Sequence, residues 1–389
     1  MKIYEIGTGY TPIPAAMGAA TEIVVEELTK AFLKQGVDTE IVDIAAEQRA
    51  ANHLPIREVR VPRCFTSTDV QLGIMHKLKR VVYSVALAGE LKKILKRASE
   101  PVVLHFHNQY NLFFFLKLVP RRLREKARIA YTVHSYIWPG EWDEIKETIQ
   151  KRYFQEVFCV QNADDVLVLN EKTAEHFTRH LGVQEEAIKS IGNGVNTDVY
   201  HIMEPDQIGK AKEALGLTGR RVILQVGSVC DRKNQLGALQ ELADYLRTNP
   251  DVAYVYAGGV IDQEYQDSIS RFAAEHQIGQ QVIYAGELKP GRDLNVYYNI
   301  ADVTVFPSKI ESFGLVILES ISCGTPVILQ NKPLFDLKNG FSVCSSEGDF
   351  LRNVDRILRQ PGADRSARDE VKAGYSWDKI ARDHMEIWN

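Results

Sequence analysis

The chain has 389 residues, of which 45% are apolar and 25% are charged, a composition typical of a folded globular protein. This length exceeds one ordinary core and suits two α/β domains of about 150–200 residues each. A formal net charge of -4 argues against general nucleic-acid binding, and no nucleic-acid partner is expected.

Five dispersed cysteines form no C-x-x-C pair and have no partnering histidine cluster. They are typical of reduced thiols, so neither a disulfide framework nor a zinc site is expected. The first residues, MKIYEIGTGY, lack the features of a secretory signal, and no run approaches about 18 uninterrupted apolar residues. We therefore expect a cytoplasmic protein, with peripheral contact at the inner face of the membrane as an open question.

Short apolar runs alternate with longer helical patterns in the first half of the chain. The predicted strands are Lys2–Ile6, Thr39–Asp43, Val102–Phe106, Ile129–Thr132 and Asp165–Leu169. The predicted helices are Ala20–Gln35, Met75–Arg97 and Asp143–Asn162. This alternation predicts βαβ units and a parallel sheet covered on both faces.

A second series of the same kind begins near residue 220. Its predicted strands are Arg221–Val226, Ala253–Ala257, Val282–Ala285, Val303–Phe306 and Pro326–Leu329, with helices such as Gln235–Thr248 and Asp262–His276. The fold class is therefore α/β with two Rossmann-like domains. We place the domains at residues 1–197 and 198–375, followed by an amphipathic helix in residues 376–389.

The most informative segment is PSKIESFGLVILESISCGTPVIL, residues 307–329. A strand ends before Pro307, and a helix is predicted from about Phe313-Gly314 to Gly324. The amino end of a helix beyond a parallel strand suits a diphosphate, because it offers free amides and a positive dipole end. Glu311 and Glu319 could serve two parts of one ligand, or they could be ordinary surface acids.

Two further loops follow predicted strands. In QVGSVCDRKN, Gly227 leads into Arg232 and Lys233, which could stabilise a departing diphosphate or form an ordinary solvated loop. In the loop of residues 12–21, Gly18 and Ala19 would let the backbone approach a ligand closely, although a plain turn is the competing interpretation.

Three histidines lie at the ends of predicted strands. His105 and His107 alternate along one strand and could face one side together, and His134 follows another strand. We expect no metal at His105 and His107, because no carboxylate or third histidine stands at ligand spacing in the sequence. The role of these two histidines stays open.

The run E-S-F-G-L-V-I-L-E resembles the E-x7-E signature of retaining glycosyltransferases of GT-B architecture, above all glycosyltransferase family 4. QVGSVCDRKN resembles the family's G-x-x-x-x-R-K segment, and Asn193-Gly194-Val195 resembles its NGV segment. One departure is Ser228, where the family often has arginine. The resemblance implies two Rossmann-like domains with a C-terminal crossover helix that packs on the N-terminal domain.

The resemblance also implies an activity, which is retaining transfer of a hexosyl unit from a nucleotide-diphosphate sugar, commonly a UDP-sugar, to an acceptor. The N-terminal domain would bind the acceptor and the C-terminal domain the donor, without a metal or another cofactor. The implied catalytic residues are His134, Arg232, Lys233 and Glu311. The implied donor-binding residues are Gly18, Ala19, Gly227, Ser312, Phe313, Gly314, Leu315 and Glu319. The alternatives are a GT-B-like nucleotide-sugar epimerase and a non-catalytic sugar-nucleotide-binding protein.

Residues 60–128 are strongly basic, with 15 Lys and Arg against 4 Asp and Glu. The charges concentrate in residues 77–97 and 121–128, where apolar residues lie between them. Such a surface could contact an anionic membrane, which would suit a lipid-linked acceptor or polysaccharide precursor. The alternative is an ordinary domain helix with solvated charges.

Overall fold

The computed structural model describes residues 1–14, 20–46, 49, 52–65, 74–134, 142–311, 313–330, 335–346, 348–360 and 362–389. The chain divides into two compact units. Unit 1 comprises Met1–Gly194 and Trp377–Asn389, and unit 2 comprises Val195–Ser376. Within the described ranges, no helix is both long and apolar enough to cross a membrane.

Unit 1 is built on a seven-stranded parallel sheet. Its strands are β1 Lys2–Ile6, β2 Thr39–Ile44, β3 Ile56–Val59, β4 Val102–Phe106, β5 Ala127–Val133, β6 Asp165–Val168 and β7 Ile188–Ser190. Their order is β3-β2-β1-β4-β5-β6-β7. The strand order therefore reverses between β1 and β4, where ligands bind in open sheets of this kind.

Helices accompany this sheet. They are α1 Ala20–Lys34, α2 Ile74–Arg97, α3 Gln109–Leu118, α4 Arg121–Arg124, α5 Trp142–Arg152, α6 Phe154–Val160 and α7 Glu171–Leu181. The helix α7 shows how local sequence sets the bounds, because Asn170 caps its first turn by accepting from the Thr173 amide and Gly182 ends it in the left-handed conformation. The prediction of one helix over 143–162 is wrong, since Tyr153 leaves helical geometry (φ -121°, ψ 21°) and separates α5 from α6.

Unit 2 is built on a six-stranded parallel sheet. Its strands are β8 Arg221–Val226, β9 Val252–Ala257, β10 Val282–Tyr284, β11 Val303–Phe306, β12 Val327–Leu329 and β13 Phe341–Val343. Their order is β10-β9-β8-β11-β12-β13, so the reversal falls between β8 and β11. The helices are α8 Pro205–Ala214, α9 Gln235–Thr248, α10 Gln263–Glu275, α11 Arg292–Ile300, α12 Leu315–Ser322, α13 Asp349–Arg359 and α14 Arg365–Tyr375.

The last helix, α15 Trp377–Trp388, belongs to unit 1 and packs against α1. Its buried residues are Trp377, Ile380, Ala381, His384 and Trp388. Gly194 allows the close approach of Trp377, because a Cβ atom on this glycine would lie 2.5 Å from the indole ring. The core of unit 1 is thus made from two segments that are far apart in the sequence.

Candidate active site

In unit 2, the loops that follow β8 and β11 lie together at the point where the strand order reverses. The two strands are neighbours, with Val303 paired to Ile223, so their carboxyl ends meet at one edge of the sheet. The amide of Lys309 donates to the carbonyl of Arg232 at 3.0 Å and ties the two loops. The side-chain amide of Gln225 donates to the carbonyl of Lys233 at 2.8 Å.

This arrangement brings Glu311 to Lys233 and Arg232. The Lys233 ammonium donates to Oε2 of Glu311, and the Arg232 guanidinium lies 3.3 Å from Oε1. The side chains of Lys233 and Glu311 are 12% and 18% exposed, whereas that of Arg232 is 41% exposed. The site therefore holds two cations and one carboxylate in contact, with Arg232 the more accessible cation.

Small residues keep this edge of the sheet open. A Cβ atom on Gly227 would lie 3.3 Å from Cδ and Cε of Lys233, and one on Gly258 would lie 2.2 Å from the Gly227 carbonyl. Side chains at these two positions would displace the backbone or the lysine. Glycine at position 227 thus allows Lys233 to pack against this loop.

The helix α12 begins at Leu315, one residue later than the sequence predicts, because Gly314 adopts the left-handed conformation (φ 86°, ψ 58°). The first amides of a helix lack intrahelical acceptors and can bind an anion. Phe313 is buried, and its ring lies 6.2 Å from that of Phe335. Ser312, Gly18 and Ala19 lie outside the described residues.

Glu319 lies further along α12 and is half-buried. It accepts a hydrogen bond from the hydroxyl of Tyr298 at 2.8 Å. Burial raises the pKa of Glu319, although hydrogen bonds from Tyr298 and Tyr200 act in the opposite direction. The tyrosines hold the carboxylate in place and leave its remaining acceptor capacity for another group.

In unit 1, a second polar cluster lies where the sheet order reverses between β1 and β4. Glu5 is the register partner of His105, and both side chains are buried. Oε1 of Glu5 lies 2.9 Å from Nδ1 of His105, and Oε2 lies 2.6 Å from Nε2 of His107. Nδ1 of His107 lies 2.8 Å from Nε2 of His134, which is half-buried.

The expectation that no carboxylate stands near His105 and His107 is wrong. Glu5 lies about a hundred residues earlier in the sequence, and parallel pairing of β1 with β4 brings it between the two rings. Among the described residues, Glu5, His105 and His107 form a group whose ligand atoms lie within 4.8 Å of one another. The carboxylate oxygens are already engaged in hydrogen bonds to both rings, so a metal at this position would have to replace these bonds.

The charge states in this cluster follow from burial and hydrogen bonding. Burial disfavours the charge on Glu5, but attraction to His105 and hydrogen bonds from both histidines outweigh it and hold the pKa of Glu5 at about 2. Burial lowers the pKa of His107 to about 4 and lowers the pKa of His105 and His134. At neutral pH the cluster therefore contains an ionised carboxylate and neutral imidazoles.

The sequence predicts that the candidate site residues follow the carboxyl ends of strands or lie on the next helix. The described structure agrees for His134, Arg232, Lys233, Glu311 and Glu319. Their functional roles stay predictions. Sequence reasoning missed Glu5 and Tyr298. The signal for Glu5 was a lone acid inside the apolar run KIYEI, since an unpaired charge is rarely fully buried. Tyr298 gave no such signal.

Two family models match most of the chain. The model for glycosyl transferases group 1 matches residues 207–372, and that for glycosyltransferase family 4 matches residues 21–199. Spore coat protein SA of Bacillus subtilis is 21% identical over 100% of this chain and 99% of that protein. A GDP-mannose-dependent phosphatidylinositol monomannoside mannosyltransferase of Mycolicibacterium smegmatis is 27% identical over 56% of this chain and 58% of its own length.

Solved structures show the same fold. Sucrose-phosphate synthase from Thermosynechococcus elongatus superposes with a TM-score of 0.74 at 21% identity, covering 100% of this chain and 98% of that one. Anabaena HepE in complex with UDP-glucose superposes with a TM-score of 0.71 at 15% identity, covering 100% and 99%. Two Rossmann-like units with parallel sheets confirm the predicted α/β GT-B fold. The chain belongs to the glycosyltransferases of GT-B architecture and family 4 type.

Proposed function

We propose that the enzyme is a retaining, metal-independent hexosyltransferase that uses a nucleotide-diphosphate sugar. The single observation that carries this proposal is the cluster of Glu311 with Lys233 and Arg232 beside the amino end of α12. Arg232, Lys233 and the first amides of α12 supply positive charge where a diphosphate leaving group would need it, so a divalent cation is not required for that purpose. Glu311 and Glu319 are the two acids of the E-x7-E segment.

In the proposed reaction, the bond between the anomeric carbon and the diphosphate oxygen breaks, and an acceptor hydroxyl bonds to the same face of the sugar. The departing phosphate takes the hydroxyl proton. Arg232 and Lys233 stabilise the charge that develops on the phosphate. Glu311 orients sugar hydroxyls, Glu319 binds the nucleotide ribose, and His134 hydrogen-bonds the sugar.

The donor is proposed to be a UDP-sugar. Support comes from the solved relative HepE, whose structures include complexes with UDP and with UDP-glucose. The mycolicibacterial relative is named as GDP-mannose-dependent, so the base needs a direct test. A thermal-shift screen of nucleoside diphosphates and their sugars, all with EDTA, provides that test.

We expect one nucleotide series to raise the melting temperature in EDTA, and we expect Arg232→Ala and Lys233→Ala each to diminish that rise, Lys233→Ala more strongly. Lys309→Ala is the matched control, because this neighbouring exposed lysine pairs with Asp231 and does not contact Glu311 in the described structure. Stabilisation that requires added Mg²⁺ would contradict metal independence. A donor that is bound and yields only an epimerised nucleotide sugar would contradict transfer.

The acceptor is proposed to be lipid-linked or a polysaccharide precursor presented at an anionic membrane. Support comes from α2, whose buried side chains Leu87, Leu91 and Leu95 pack in unit 1. Other apolar side chains of the same helix are exposed, namely Met75, Leu78, Val81 and Val85. Lys77, Lys93, Lys96 and Arg97 are also exposed on α2, and Arg121 and Arg122 on α4. Apolar groups flanked by cations suit a membrane surface of opposite charge.

Vesicle sedimentation tests this surface. We expect the protein to bind vesicles containing phosphatidylglycerol and not pure phosphatidylcholine, and we expect Leu78→Gln with Val81→Gln to weaken binding. Leu215→Gln is the matched control, because Leu215 is also an exposed leucine (39%) but lies in unit 2. Equal binding by both variants would contradict the proposed surface.

A further inference from the structure

The hydrogen bonds around Glu5 determine which nitrogen of each neighbouring histidine carries a proton. An ionised carboxylate only accepts hydrogen bonds. Nδ1 of His105 and Nε2 of His107 therefore both donate to Glu5, at 2.9 and 2.6 Å. A neutral imidazole has a single N–H group, so the other nitrogen of each ring must accept.

The two acceptor nitrogens lead to two different partners. Two chains of hydrogen bonds, here called arms, therefore start at Glu5, one through His105 and one through His107. On the first arm, Nε2 of His105 accepts from the hydroxyl of Thr132 at 2.7 Å. On the other arm, Nδ1 of His107 accepts from His134, whose Nε2 lies 2.8 Å away and must therefore carry the proton. The second arm ends on the ring that the proposed function assigns to the sugar.

Packing buries this cluster away from solvent. Glu5, His105 and His107 are buried. The rings of His384 and Trp388, both on α15, lie 5.4 and 5.2 Å from that of His105. The ring of His107 stacks on that of His134 at 5.1 Å with an interplanar angle of 24°. Because the side chains of Glu5, His105 and His107 have no solvent-exposed area, bulk water does not compete for the hydrogen bonds to Glu5.

We infer that Glu5 is a positioning residue that acts through His107 to hold His134 with its proton on Nε2 and a bare, hydrogen-bond-accepting Nδ1. The inference deepens the proposed function and rests on it for the contact of His134 with the sugar. A bare Nδ1 accepts a hydrogen bond from a hydroxyl group and repels an oxyanion. The arrangement therefore selects a hydroxylated ligand at His134 and excludes a phosphate oxygen there.

Nitrogen-15 NMR of histidine-labelled protein tests the inference without any ligand. At neutral pH we expect His105 to carry its proton on Nδ1, the minor tautomer of free histidine, while His107 and His134 carry theirs on Nε2. Resonances are assigned with single His→Phe variants. A proton on Nδ1 of His134 would overturn the inference.

The same spectrum distinguishes a metal site. A metal bound by Glu5, His105 and His107 would take the lone pairs of Nδ1 of His105 and Nε2 of His107. The remaining ring nitrogens would then carry the protons, and both tautomers would be reversed. That pattern, together with stoichiometric metal in elemental analysis of the purified protein, would also overturn the inference.

Turnover kinetics test the coupling to His134. We expect His107→Phe to lower kcat/KM by about tenfold or more, and the double variant with His134→Phe to be no worse than His134→Phe alone. Thr132→Val is the matched control, because it alters only the arm through His105 and should retain kcat/KM within about threefold of wild type. Additive losses for His107→Phe and His134→Phe would contradict action through His134.

The two proposals fail in different ways. If the NMR pattern is as expected but His134→Phe retains full turnover, the assigned role of His134 toward the sugar is wrong and the hydrogen-bond arrangement stands. If His134→Phe loses turnover but His134 carries its proton on Nδ1, the positioning role of Glu5 is wrong and the proposed function stands.

Discussion

The hydroxyl of Tyr298 donates a hydrogen bond to Oε2 of Glu319 at 2.8 Å, and this tyrosine side chain is fully buried. Tyr298 lies on α11 and Glu319 on α12, so the hydrogen bond links two neighbouring helices of unit 2. A carboxylate held in this way is already oriented before a ligand arrives.

Tyr298→Phe should weaken nucleotide binding through the loss of this orientation. We expect the Kd of the nucleoside diphosphate to rise by about tenfold, equivalent to one hydrogen bond to a charged group. The Kd of inorganic pyrophosphate should not change, because the proposed partner of Glu319 is the ribose. Calorimetry with both ligands checks the difference, and an equal loss for both would refute a ribose-specific role.

Lys233→Ala should reduce donor affinity more than Arg232→Ala, since Lys233 is the less exposed cation and lies closer to Glu311 than Arg232 does. We expect a loss of about tenfold to a hundredfold for Lys233→Ala, as for a charge-assisted hydrogen bond. Lys309→Ala measures the effect of removing a nearby lysine whose side chain pairs with Asp231 instead of Glu311. Calorimetric titration with the nucleoside diphosphate measures all three, and a loss for Lys309→Ala as large as for Lys233→Ala would indicate a nonspecific effect of charge.

Gly314→Ala should destabilise the start of α12. At φ 86° an L-residue is strained, and a Cβ atom would lie 2.9 Å from Cδ1 of Ile317 and 3.3 Å from Cζ of Phe306. We expect a loss of about 1–2 kcal/mol in the free energy of unfolding. Gly89→Ala is the control, because Gly89 lies inside α2 with open space around it and alanine favours helix there. Urea denaturation compares the two variants.

Glu156→Gln should change how stability depends on pH. Burial raises the pKa of Glu156 from its ordinary value of 4.5 to about 7, and the hydroxyl of Tyr131 lies 2.9 and 3.1 Å from the two carboxylate oxygens. The folded protein therefore retains a proton that the unfolded chain releases between these pH values, and stability falls as the pH rises through this window.

Glutamine does not titrate, so the variant avoids that loss. The free energy of unfolding of the variant minus that of wild type should therefore increase by about 3 kcal/mol between pH 4.5 and pH 8. Denaturant unfolding across this range measures the difference. A difference that stays constant with pH would show that Glu156 ionises normally.

The sequence predicts the central strands well, but it misses three of the four edge strands. β1, β4, β8 and β11 have the predicted bounds, because central parallel strands are buried on both faces and appear as apolar runs. The edge strands β3, β7 and β13 were missed, whereas the edge strand β10 was predicted to within one residue. β3 carries the charged pair Arg57-Glu58, and β13 has only three residues. Neither gives a continuous apolar signal.

The candidate site is predictable to the extent that its groups follow strands or lie in a recognisable segment. Glu311 and Lys233 are 78 residues apart, and their ion pair follows once β8 and β11 are neighbours. Glu5 needs the pairing of β1 with β4, which local sequence does not specify. A motif can be recognised from adjacent residues alone. A hydrogen bond between neighbouring strands can be predicted only when the order of the strands in the sheet is known.

Unit 1 is discontinuous in sequence, because α15 packs against α1 although all of unit 2 lies between them in the chain. During synthesis, the first 194 residues leave the ribosome long before residues 377–388, which bury Trp377 and Trp388 in that unit. The ring of Trp388 contacts Phe32, and its centroid lies 5.9 Å away. Until then, unit 1 exposes the apolar surface that α15 covers, while unit 2 can already complete its own core. The unit that is translated first is therefore completed last.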